Sequence, residues 1–221
     1  MKLNALLALT VASLGLIGCQ SMVQKAKNEV KYSAYEMVGV EKRDLFKKDV
    51  KKVKNSQEDA GEAFEDALEK LQKIYAVDGG NLEKQYKSLN SSFEDSKEEV
   101  EAVHERVKTL ETTAENLFEE WQEEISGMSS ADLRSKSSAR LKETRERYKV
   151  FHASLKSSEA RMDPVLKKLS DHVLYLKHNL NSKAIAGLKV ESNKIQNDIE
   201  SLIKDMNKSI SQAEDFAKTI E

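Results

Sequence analysis

Apolar side chains recur along this chain in alternating steps of four and three residues. From Phe46 the register reads Phe46, Val50, Val53, Gln57, Ala60, Phe64, Ala67, Leu71 and Ile74, with eight of nine apolar. From Leu82 it continues through Tyr86, Leu89, Phe93, Ser96, Val100, Val103, Val107, Leu110, Ala114, Leu117 and Trp121, with eleven of twelve apolar. A third register holds Leu141, Thr144, Tyr148, Phe151, Leu155, Ser158, Met162, Val165, Leu169, His172 and Leu176, with eight of eleven apolar. The fourth holds Ile185, Leu188, Ser192, Ile195, Ile199, Leu202, Met206, Ser209, Ala213, Phe216 and Ile220, with nine of eleven apolar. A mean repeat of 3.5 sustained over so many turns predicts helices that supercoil around one another. Strands are excluded, because a period of two would scatter these residues over both faces. The predicted fold is all-α: an elongated antiparallel coiled coil or four-helix bundle with long helices.

The breaks fall between the stripes. Asp78-Gly79-Gly80-Asn81 ends one helix with glycines and offers Asn81 as the N-cap of the next. Gly127-Met128-Ser129-Ser130 repeats the device, with Ser129 and Asp132 spaced like a capping box. Asn179-Leu180-Asn181-Ser182 forms a third capped turn. The predicted long helices span about 41–76, 82–127, 131–181 and 183–220, after an entry helix over 22–38 that Gly39 bends or separates. Short connections make sequential neighbours antiparallel. Pro164 suits a first-turn position or a kink within the third segment. At about 1.5 Å per residue the predicted body is a rod of roughly 70–75 Å. Its 78–81 and 179–182 turns are expected at one end and its 127–130 turn at the other.

The beginning of the chain breaks the pattern. Met1 and Lys2 precede an apolar run, Ala5 to Ile17, which closes on Leu16-Ile17-Gly18-Cys19. A basic start, an apolar stretch and a small residue before a cut describe a secretory signal over 1–18. A membrane-spanning anchor is the competing reading. It needs about 20 apolar residues and a basic flank, and this run has neither. The chain's 1 cysteine has no disulfide partner. Residues 19–221 are then expected to form a single elongated domain.

With 1 proline and 8 glycines in 221 residues, few turns remain for a sandwich, barrel or βαβ sheet. The 36 basic and 38 acidic residues nearly cancel, so a net charge of −2 gives no warrant for a nucleic-acid partner. The charges are nonetheless segregated. Leu82–Gly127 carries 13 acidic and 5 basic residues, whereas Ala131–Asn181 carries 12 basic and 6 acidic. Glu119, Glu120, Glu123 and Glu124 close one helix and Arg134, Lys136 and Arg140 open the next. Each group opposes its helix dipole, so the two are expected to pair with each other. The acidic run Glu58 to Glu69 faces another, Glu94 to Glu101. It reads as a solvated face, with a cation-binding face as the alternative.

Candidate chemistry is sparse. His104, His152, His172 and His178 lack ligand spacing, and no nucleotide-binding, metalloprotease or serine-hydrolase motif occurs. His172 and Trp121 lie on stripes and read as packed side chains. No cofactor and no enzymatic activity are expected. The residues left for recognition are Tyr75, Asp78, Asn81, His178, Asn179 and Asn181, at two turns that should meet. Turn-making and capping compete for these residues with partner contact.

Leu16-Ile17-Gly18-Cys19 resembles the lipobox of bacterial lipoproteins, which implies Cys19 as the acylated first residue of the mature chain. Gln20, in place of the aspartate that marks inner-membrane retention, implies the outer membrane and a periplasm-facing body. The segments Tyr32-Ser33-Ala34-Tyr35-Glu36-Met37-Val38-Gly39-Val40, Lys42-Arg43-Asp44, Asp78-Gly79-Gly80, Glu120-Trp121, Met162-Asp163-Pro164-Val165-Leu166 and Leu176-Lys177-His178-Asn179-Leu180-Asn181 resemble an uncharacterised family of proteobacterial predicted lipoproteins. That family is a helical domain of unknown function and supplies no catalytic residues to carry over. The expected function is a membrane-anchored spacer or adaptor that meets an unknown envelope protein through its helical surfaces and tip. A periplasmic ligand- or cation-binding regulatory module is the alternative, and the same stripes could serve a homo-oligomer.

Overall fold

The computed structural model describes residues 42–76, 81–181, 185 and 189–220. The signal segment, Cys19, the entry helix over 22–38 and Asp78-Gly79-Gly80 lie outside the described residues. Lys42–Glu221 form one compact unit. Its helices are α1 (Lys42–Ala76), α2 (Leu82–Gly127), α3 (Ala131–His178) and α4 (Lys189–Thr219). Each of α1 and α3 packs against both α2 and α4, so the four close into an antiparallel ring around one core.

The stripes build that core. Phe46, Phe64, Leu71, Ile74, Leu89, Leu110, Phe151, Leu155, Met162, Leu169, Leu176 and Ile195 are fully buried. Burial of one such side chain stabilises by about 1.5–3 kcal/mol, whereas an exposed i,i+4 ion pair adds about 0.2–0.5 kcal/mol. The seams therefore dominate. Several buried polar side chains in or beside the stripes bond across the core. Gln57 Nε2 donates to Ser158 Oγ at 2.7 Å, although the two residues are 1% and 0% exposed. Ser96 Oγ donates to the Ala63 carbonyl at 3.1 Å, and Thr113 Oγ1 donates to Asp49 at 2.8 Å.

Toward the α2–α3 turn, five aromatic rings interlock. The Phe46 ring lies 6.0 Å from Phe118, 5.7 Å from Tyr148 and 5.6 Å from Phe216, all edge-on. Phe151 stacks on Phe216 at 5.7 Å. Beyond this cluster, Trp121 is partly buried, donates from Nε1 to Ser137 Oγ at 3.0 Å and carries the Arg43 guanidinium over its ring.

The helix ends correct two sequence expectations. Asn81 caps α2, its Oδ1 accepting from Lys84 N at 3.0 Å. At α3, however, the cap is Ser130, which accepts from Leu133 N at 3.4 Å, and not the Ser129–Asp132 box. The turn runs one residue longer than the box assumed, because the Met128 N–H still closes on the Ile125 carbonyl. The expected pairing of Glu119, Glu120, Glu123 and Glu124 with Arg134, Lys136 and Arg140 is also absent among the described residues. Arg134 instead bonds the Met128 carbonyl, Lys136 pairs with Asp132 one turn away at 2.7 Å, and Glu120 pairs with Lys42 on α1 at 2.7 Å. A partner at i,i+4, an orphan C-terminal carbonyl and Lys42 on α1 thus engage Lys136, Arg134 and Glu120 without crossing the turn. Pro164 stands exposed inside α3, where its missing N–H leaves a carbonyl one turn back to solvent.

Candidate functional site

The helix ends opposite the α2–α3 turn gather the most distinctive polar chemistry. Tyr75 ends the buried side of α1 and His172 lies two turns before the end of α3. Their parallel course brings the Tyr75 hydroxyl to 2.8 Å from His172 Nδ1, with the rings edge-on at 6.2 Å. Burial pushes the Tyr75 hydroxyl well above its ordinary range, and the neighbouring Tyr175 adds to the shift. Burial also holds His172 below the ordinary imidazole value, against the opposing pull of Glu191 and Asp171. The pair is therefore a protonated phenol and a neutral imidazole that share one hydrogen bond, its direction set by the ring tautomer.

His172 also lines a groove of about 340 Å³ between α3 and α4. Ile195 forms its apolar floor, and Tyr175 flanks it. Two ion pairs edge it: Lys168–Asp198 at 2.6 Å between the helices and Lys194–Glu191 at 2.7 Å within α4. The charges on its rim nearly balance, so the groove offers mixed hydrogen bonding around an apolar floor. Tyr175 in its lining is 39% exposed, and Leu174 on the same turn of α3 is 57% exposed. Among the described residues, the large apolar side chains that stand most exposed are Leu133, Val150, Leu174 and Tyr175, all on α3.

The candidates from sequence distribute unevenly over this end. Tyr75 is in the site. Asn81 and Asn179 are occupied as caps, Asn179 Nδ2 donating to the Tyr175 carbonyl at 2.9 Å. Asn181 continues the turn by accepting from Ile185 N at 3.1 Å through its carbonyl, and His178 stands exposed in the last turn of α3. Asp78 and Cys19 lie outside the described residues. Sequence reasoning passed over His172, Tyr175, Glu191, Lys194 and Ile195. The available signal was positional: a histidine interrupting a stripe, two turns from the helix end that α1 and α3 share.

Among the described residues, no group of three or more His, Cys, Asp or Glu is arranged to hold a metal ion. On the acidic α1–α2 face, Asp66 is engaged by Lys70 at 2.7 Å and by Ser92 at 2.5 Å, which together hold it below the usual carboxylate range. No described helix is long and apolar enough to cross a membrane. No curated protein and no solved structure matches the chain. Residues 31–220 match a family described as a protein of unknown function, DUF2959, and the chain belongs to that family.

Proposed function

We propose that this protein is an envelope lipoprotein, tethered to the outer membrane through an acylated Cys19, which acts as a spacer or adaptor in the periplasm. One observation carries the adaptor reading. The groove beside His172 is floored by Ile195 and lined by exposed Tyr175, so an apolar contact surface and polar side chains coincide at one end of a stiff bundle. Long helices locked by buried seams hold such a surface at a set distance, up to about 70 Å along a 48-residue helix at about 1.5 Å per residue. Side chains that line this end and are not consumed in the core are free to be shaped by a partner.

Two measurements test the two halves of the reading separately. Cells fed labelled palmitate should label the wild-type chain and not Cys19→Ser, and an unlabelled wild type would remove the tether. In-cell photo-crosslinking from position 175 should capture a defined partner, and Leu174→Asp with His172→Ala should abolish that capture. Unchanged capture by the variant would remove this end from the contact surface.

A further inference from the structure

On the α2–α3 seam, away from the groove, His104 contacts a carboxylate with each ring nitrogen. Nδ1 lies 2.9 Å from Glu159 Oε1 and Nε2 lies 3.3 Å from Asp163 Oδ1. A neutral imidazole carries one donor and one acceptor, and a carboxylate only accepts. Both contacts are hydrogen bonds only when the ring is imidazolium. Glu159 and Asp163 are one turn apart on α3, so the charged ring of α2 spans two successive positions of its neighbour. Glu159 is 8% exposed and its second oxygen takes Lys156 at 2.5 Å. Lys156 also reaches Glu111 at 3.6 Å, and Glu111 takes His152 Nε2 at 2.7 Å. The chain of contacts thus crosses the seam at both imidazoles, and His152 is itself stacked on Tyr148 at 5.4 Å.

The bonded set holds three carboxylates against one ammonium, so a proton on His104 moves it toward neutrality. The other charged residues one turn away on this face are Glu101, Lys108 and Glu115 on α2 and Lys149 and Lys167 on α3. All five are exposed, where solvent and salt screen them, so the contacts within hydrogen-bond range decide.

We infer that His104, with Glu159 and Asp163, forms a protonation-controlled clasp that tightens α2 against α3 in acid and loosens it in alkali. Burial works against the charged ring, but the bonds to Glu159 and Asp163 outweigh it and hold His104 above the ordinary imidazole value. The clasp is therefore complete below the unfolded-chain value of about 6.5 and is lost as pH rises through the raised folded value. When the proton leaves, one nitrogen turns a lone pair toward a carboxylate, and the longer contact to exposed Asp163 is the one released.

The test uses the full chain. Imidazole titration by NMR should place His104 above the ordinary histidine value, and a value at or below it overturns the inference. Melting curves from pH 5.5 to 8.5 should show the wild type losing about 2–4 °C more than His104→Gln, the shift typical of a modest contact in a domain of this size. Glutamine keeps one donor and one acceptor and does not titrate, so parallel curves also overturn it. Amide exchange corrected for intrinsic rates should rise with pH in residues 100–111 and 156–163 of the wild type and stay level in the variant.

Discussion

The two ends of this bundle are built from the same four helices and closed by different means. Toward the α2–α3 turn, Phe46, Phe118, Tyr148, Phe151 and Phe216 interlock within 6.3 Å of one another along a chain of ring contacts. At the opposite end a single phenol–imidazole bond ties α1 to α3 beside an open groove. The first end invests its aromatic residues in dispersion and area burial, which are large and indifferent to pH. The second uses polar groups whose strength depends on protonation. Both ends keep the buried aliphatic seams, and only the first adds an interlocked aromatic cluster to them.

Three perturbations test this contrast, in decreasing order of effect. Phe46→Ala removes the ring that touches three others and is expected to cost about 3–5 kcal/mol, read as the denaturant midpoint. If the loss is no greater than for an exposed residue, the aromatic cluster is not the stabilising end. Tyr75→Phe leaves His172 Nδ1 without its hydrogen-bond partner in a partly buried site and is expected to cost about 1–3 kcal/mol at neutral pH. Its pH response is the informative part. Because the folded His172 value is lowered, the unfolded chain takes up the proton first, and stability from this end falls as pH drops below about 6.5. That is opposite in sign to the His104 clasp, so melting curves of Tyr75→Phe and wild type should converge in acid. The smallest effect is expected for Lys136→Glu with Arg140→Glu. Both side chains are exposed and no bond joins them to α2 among the described residues, so the midpoint should stay within about 1 kcal/mol of wild type. A larger loss would restore the pairing across the turn that the charge pattern alone suggested.

The difference between the ends was only partly visible in the linear chain. The aromatic residues Phe46, Tyr148, Phe151 and Phe216 all fall on the apolar registers, so their burial could be read from period alone. That they meet depends on where each helix starts relative to its neighbours. The same holds for Gln57 and Ser158, which interrupt two stripes separated by 101 positions and bond to each other across the core. Tyr75 was recognisable as a candidate because it lies near a turn, but its partner His172 was read as an ordinary stripe residue. His104 gave no signal, since its two carboxylates lie on another helix and nothing in its own neighbourhood marks them.

Helix identity, the buried face of each helix and the approximate positions of the breaks were therefore determined by the sequence itself. They follow from a 3.5-residue spacing and from capping residues, both properties of a few consecutive turns. The choice of partner for each polar or charged group was decided only by the tertiary structure. Glu120, Arg134 and Lys136 at the turn found partners on α1 or locally, and two imidazoles found carboxylates across a seam. Bonds of this kind depend on axial register between helices to within about one turn, which no local pattern encodes.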